Sequence, residues 1–168
     1  MIFGDIDEFA VLIEPIPKWN TEYLKEGLFE VFVAGVRINS EIVCSTLTIQ
    51  TRTMFFSVQE TPKDPFPCKS LPVGLSGRSS AVVYLELMRI CYPTNADETD
   101  YQEFEYTITP FALGDYKRCI FWYLDGDHEV LLAGGMELSA EISLPRGLCA
   151  NTLRAAHEYA EKLSNTHL

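Results

Sequence analysis

The sequence predicts an α+β domain: an antiparallel sheet of about six strands with two or three packed helices, the last of them C-terminal. Three observations carry this. Between residues 117 and 143, two nearly continuous apolar runs and a third, alternating one are separated by Asp125-Gly126-Asp127 and Gly134-Gly135, which reads as two successive hairpins. Nearer the N-terminus, Phe9, Val11 and Ile13, and then Phe29, Val31 and Val33, recur at every second position, the period of a half-buried strand. Residues 76–92 and 149–163 carry apolar side chains at helical spacing instead.

Taken in order, the first strand is closed by Pro15 and Pro17, since proline cannot donate to a ladder. Residues 18–27 form a polar connection that carries Trp19. Phe29, Val31 and Val33 then run out, Ala34-Gly35 turn the chain, and Val36 and Ile38 return. Residues 45–60 support two readings. Thr46, Thr48, Thr51 and Thr53 favour a strand, whereas Leu47, Thr51, Met54, Phe55 and Val58 share a helical face that Ser45 could cap; the balance falls to helix. Four prolines make residues 61–75 irregular.

The helix at 76–92 has Ser79 as its cap, a stripe of Val82, Leu85, Met88, Arg89 and Tyr92, and Pro93 as its stop. An acidic loop follows at 93–101, and Phe104, Tyr106 and Ile108 alternate into a strand that Pro110 ends. In the central hairpin both arms are apolar on both faces, so helices are expected to cover the sheet on each side. Pro145-Arg146-Gly147 turns the chain into a final helix with Leu153, Ala156, His157, Ala160 and Leu163 on one face.

A chain of 168 residues with 47% hydrophobic composition suits one domain, residues 1–168, with a real core. It has no apolar run of bilayer-spanning length and no basic start of the signal-peptide kind, which points to the cytoplasm. Five cysteines, none close to another, fit reduced and buried thiols better than disulfides or a metal cluster. The charge says more. Asp plus Glu total 24 against 13 Lys plus Arg, a net of −11. Residues 90–145 hold eleven acids and two bases, Lys117 and Arg118, and eleven minus two leaves −9 in this third of the chain. Such a surface disfavours nucleic acid and anionic membranes and favours a basic partner. Solubility alone is the plainer explanation of the same surplus.

Chemistry-bearing clusters are sparse. Asp125, Asp127 and His128 could be read as a metal site, but turn chemistry accounts for them more simply. Asp5, Asp7 and Glu8 read as an exposed entry to the first strand rather than an acid–base pair. His157, on the apolar side of the last helix, reads as a core or boundary histidine. Residues 74–77 lack the strand and the closing glycine of a nucleophile elbow, and there is no phosphate-binding or dinucleotide fingerprint. No catalytic residue, metal ligand or cofactor site is assigned.

Two parts of the chain bear a likeness to a known family. Met1-Ile2-Phe3-Gly4-Asp5, followed by Phe9-Ala10-Val11 and the hairpin containing Phe32, is one. The other comprises Tyr106-Thr107-Ile108-Thr109-Pro110, Arg118-Cys119-Ile120-Phe121, the turn at 125–129, residues 131–134, and Leu144-Pro145-Arg146-Gly147. Together they cover somewhat over half the chain and resemble the bacterial immunity protein 42 family. Residues 44–96 match only in an expected pair of helices, and their threonines depart from the pattern. The resemblance implies a non-enzymatic antitoxin of a polymorphic-toxin system, such as contact-dependent growth inhibition, that binds a toxin domain in the cytoplasm. It brings no catalytic residues and does not identify the toxin.

The expected function is therefore stoichiometric binding of a cognate toxin domain, 1:1, covering its active or substrate-binding site. A basic nuclease is the favoured target because it complements the acidic surface. The candidate toxin-binding residues are Asp97, Glu98, Asp100, Glu103, Asp125, Asp127 and Glu129. The alternatives are a small-ligand-binding or hydrolytic protein with an unrecognised pocket, and a regulatory adaptor.

Overall fold

A computed structural model describes residues 1–21, 24–39, 44–57, 68–92, 106–110, 113 and 118–165. Among these residues the chain is α+β, with antiparallel strands and three α-helices, as its sequence predicts. The strands do not form one sheet of about six. They divide into a sheet of five and a sheet of three.

The first sheet contains β1 (Ile2–Gly4), β2 (Phe9–Pro15), β3 (Glu26–Val33), β4 (Val36–Arg37) and β5 (Cys44–Thr46). A single turn of 3-10 helix at Pro17–Trp19 interrupts the polar connection before β3. Strands β2 and β3 pair so that Phe9 faces Val33, Val11 faces Val31 and Ile13 faces Phe29. All six side chains are buried in the main core, so the period-2 pattern and the cross-strand register reinforce each other. The β3–β4 turn is Ala34-Gly35, both at positive φ (51° and 76°), the left-handed pair of a tight type I′ hairpin. The other edge of β3 is shared. Strand β4 pairs with its end and β5 with its beginning, and buried Asn39 fills the gap: its Oδ1 accepts from Val31 N–H at 3.2 Å and its Nδ2 donates to Phe29 C=O at 3.1 Å.

Helix α1 (Leu47–Ser57) settles the ambiguous stretch in favour of helix, with Leu47, Thr51 and Met54 buried; Val58 lies outside the described residues. Its threonines tolerate the helix because their hydroxyls bond one turn back, Thr51 to Leu47 C=O and Thr53 to Ile49 C=O. Ser45 belongs to β5, paired with Gly27, rather than standing as the cap.

The second sheet is β6 (Cys119–Asp125), β7 (His128–Gly134) and β8 (Leu138–Pro145). Its free β6 edge is occupied by residues 106–108, where Ile108 N–H bonds Ile120 C=O and Trp122 N–H bonds Tyr106 C=O, and by Leu124 N–H on Lys69 C=O. The two sheets bury their apolar faces by stacking rather than by joining. Ile120, Trp122, Leu131, Ala140 and Leu144 enter the same core as β2 and β3. Helix α3 (Leu148–Asn165) completes it with Cys149, Leu153, Ala156 and Ala160, the face its spacing predicts. Gly4 makes close packing of β1 possible, since a Cβ there would stand 2.2 Å from Phe9 C=O and 2.9 Å from the Thr152 methyl of α3.

The opposite face of β6–β8 carries Cys119, Phe121, Tyr123, Val130 and Leu132 and is covered by helix α2 (Ser80–Cys91). The central hairpin is thus covered on both faces, by a helix on one and chiefly by the first sheet with α3 on the other. The buried stripe of α2 is Val83, Tyr84, Leu87 and Cys91. The stripe of Val82, Leu85, Met88, Arg89 and Tyr92 is the core face only in part: Met88 and Tyr92 pack against this cluster, whereas Val82 is 42% and Leu85 55% exposed. Both sides of this helix are apolar, so spacing alone does not tell which one docks. Ser79 occupies the cap position without a side-chain bond to the helix.

Candidate binding surface

The β6–β7 hairpin turns in two residues. Asp125 pairs with His128, and Gly126 takes φ 59°, the first-position left-handed geometry of a II′-type turn. This places the Asp125 and Asp127 side chains in solvent at one end of the second sheet. Turn chemistry therefore explains the cluster with His128, and the described residues hold no group of three or more His, Cys, Asp or Glu disposed to bind a metal.

Glu129 behaves differently from its neighbours and leaves the surface set. It is 0% exposed, and its Oε2 accepts from the Cys149 N–H at 3.0 Å in the first turn of α3. An acid there meets the unpaired amides and positive end of the helix. Burial nonetheless raises its pKa, opposed by the Gly147 and Cys149 amides and by Arg146, and its Oε1 has no hydrogen-bond partner among the described residues. An alternating pattern around an exposed turn hides this, because residue 129 faces the helix start only after α3 docks. Asp97, Glu98, Asp100 and Glu103 lie outside the described residues, as does the expected strand start at Phe104.

A groove of about 210 Å³ opens beside the hairpin end, and sequence spacing gave no sign of it. Helix α2 crosses the sheet with its first turn over β8, where the Ser80 hydroxyl donates to Glu141 Oε1. One turn later Tyr84 O–H donates to Gly135 C=O at 2.9 Å, with its ring edge-on to Phe121. Short of the α2 start the sheet is left open, and Tyr123, Val130 and Ser143 become the floor of the groove. Arg78, from the segment before α2, forms one wall, and Asp125 and Glu141 stand on the sheet side. The Tyr123 phenol, 5% exposed, has no hydrogen-bond partner among the described residues. Burial and then the Asp125 and Glu141 carboxylates push its pKa up to about 12, so it holds its proton at neutral pH.

Among the described residues four cysteines are packed. Cys68, Cys91, Cys119 and Cys149 are buried, and burial raises the Cys119 and Cys149 thiols away from nucleophilic thiolate, with a Tyr92 hydrogen bond opposing at Cys119. His157 is a boundary histidine, stacked on Phe55 at 4.7 Å with Nδ1 3.3 Å from the Thr51 hydroxyl. Asp5 and Asp7 shape the β1–β2 turn, Asp5 Oδ1 accepting from Asp7 N–H at 2.9 Å. Among the described residues no helix is long and apolar enough to cross a membrane.

The fold as a whole recurs in a known structure. A crystal structure of CdiI from Burkholderia dolosa AUO158 superposes with a TM-score of 0.75 over 95% of this chain and 99% of that one, at 19% identity. The family model for immunity protein 42 matches residues 1–159, and the chain belongs to that family. The match runs through residues 44–96, where the motifs alone supported only two helices. No curated protein matches the chain in sequence.

Proposed function

We propose that this immunity protein is a non-catalytic inhibitor that binds its cognate toxin domain 1:1 in the cytoplasm and covers the active or substrate-binding surface. Family membership supports toxin neutralisation, and the acidic end of the second sheet supports the mode. The carrying observation is that Asp125 and Glu141 both line a groove of the described surface, beside the exposed Asp127 of the hairpin turn. The acids at 97–103 enlarge the negative excess of this half of the chain. Proteins that act on nucleic acid present cationic surfaces to phosphate, so a nuclease is the target whose working surface this charge complements best. A contact-dependent growth inhibition toxin fits that description. The hydrolytic alternative gains nothing from the groove, whose described lining includes no cysteine or histidine.

The experiment is co-expression with the toxin domain encoded beside the gene, co-purification, and assay of the toxin with and without its partner. A 1:1 complex with silenced nuclease activity is the expected result. An active toxin in the presence of excess immunity protein would overturn the reading.

A further inference from the structure

We propose that the groove at the amino end of α2 is a socket for one basic side chain of the toxin, a guanidinium seated at the Asp125 carboxylate and against the Tyr123 phenol, with Glu141 on the β8 wall. The inference rests on the toxin-binding reading above and names the chemistry of the contact. Three observations converge on it. At about 210 Å³ the groove is smaller than the roughly 300–1,000 Å³ of pockets that enclose whole small molecules, and suits a single inserted side chain. The Tyr123 side chain is nine-tenths buried and lines the groove, and its hydroxyl, unpartnered among the described residues, is free to accept from an incoming donor. Two carboxylates, Asp125 of β6 and Glu141 of β8, line the same groove and make it electronegative, and Asp125 with the Tyr123 hydroxyl offers a guanidinium with five N–H donors more than one acceptor.

Arg78 supplies the opposing reading. It lies in the same wall just before α2, and with the helix N-terminus it could attract an anionic group of the partner instead. An anion in the groove, however, would sit against both Asp125 and Glu141. The two readings give opposite signs for one substitution. If the groove takes a cation, Arg78 is a like charge that the guanidinium must displace, and its removal helps; if it takes an anion, its removal hurts.

The test is the affinity of the full chain for the neighbouring toxin domain, measured by titration calorimetry, for the wild type and for Asp125→Asn, Tyr123→Phe and Arg78→Ala. Thermal unfolding of each variant establishes that it is folded, and Tyr123→Phe removes one oxygen without disturbing the packing. The socket predicts losses of about tenfold for Asp125→Asn and about threefold for Tyr123→Phe, with Arg78→Ala binding at least as tightly as wild type. Wild-type affinity in both Asp125→Asn and Tyr123→Phe, or a loss in Arg78→Ala, would overturn the socket while leaving toxin binding intact. A wild-type chain that does not bind the toxin domain at all would remove the functional reading and the socket with it.

Discussion

The Glu129 carboxylate on β7 accepts a hydrogen bond from the Cys149 N–H at the start of α3, 3.0 Å away. Twenty residues separate the partners, and the bond ties the central hairpin to the C-terminal helix inside the core. It joins a favourable element, an acid at a helix N-terminus, to an unfavourable one, a buried charge with one oxygen unpartnered among the described residues.

These opposing terms separate by substitution. Glu129→Ala removes the acceptor and should cost about 1–3 kcal/mol, the range for orphaning a buried polar group. Glu129→Gln keeps an acceptor and discards the charge. Because burial raises the Glu129 pKa in the folded state, its contribution is fully present below the unfolded carboxyl value and is lost as pH rises through the folded one. The stability of Glu129→Gln relative to wild type should therefore increase from acid to neutral pH. Denaturant melts at several pH values measure this, and a flat difference would show that the carboxyl titrates alike in both states.

His157 should make its own, opposite contribution. Burial lowers its pKa, with Glu161 and Glu158 opposing and Arg52 adding to the shift. Stability from the neutral ring is present above the unfolded value of about 6.5 and declines as pH falls toward the folded one. His157→Phe keeps an aromatic ring for Phe55 to stack on and abolishes the titration. Its unfolding free energy should fall less steeply than that of wild type between pH 7 and pH 5. Identical slopes would assign the acid sensitivity to other groups.

The two sides of α2 should respond unequally to the same truncation. Leu87→Ala opens a cavity against the second sheet and should cost about 2–5 kcal/mol. Leu85→Ala removes a 55% exposed side chain and should stay within about 0.5 kcal/mol of wild type. Chemical denaturation of both variants tests the docking of the helix, and the reverse order of costs would mean that it packs by its other face.

For binding, charge reversal at Asp97, Glu98 and Asp100 together, or at Asp125 and Asp127 together, should weaken the toxin complex while leaving the fold intact. Such exposed charges act mainly on association rate, and their effect should fade with salt as the screening length shortens to about 8 Å at physiological ionic strength. Stopped-flow association at several salt concentrations is the measurement. Unchanged rates in both variants, with no salt dependence, would take the acidic surface out of the mechanism.

What the sequence determined by itself is local. Alternation at Phe9, Val11 and Ile13, left-handed turn chemistry at Ala34-Gly35 and Gly126, and the one-sided helix carrying Leu153, Ala156 and Ala160 each involve a few neighbouring residues, and short-range sterics and periodicity specify them. The family likeness was legible for the same reason, through short motifs at turns and strand ends. Tertiary structure decided everything that depends on which surface meets which. It divided the strands into two stacked sheets whose apolar faces share one core, a choice that alternation within each strand does not specify. It chose the Val83–Leu87 side of α2 over the equally apolar Val82–Leu85 side, since a helix apolar on both sides has no periodic preference between them. It buried Glu129 while exposing Asp125 and Asp127, four and two residues away, because only one of the three stands where α3 begins. It also made the Tyr123 groove, whose walls come from α2, β6 and β8, segments up to some sixty residues apart that chain folding alone brings together.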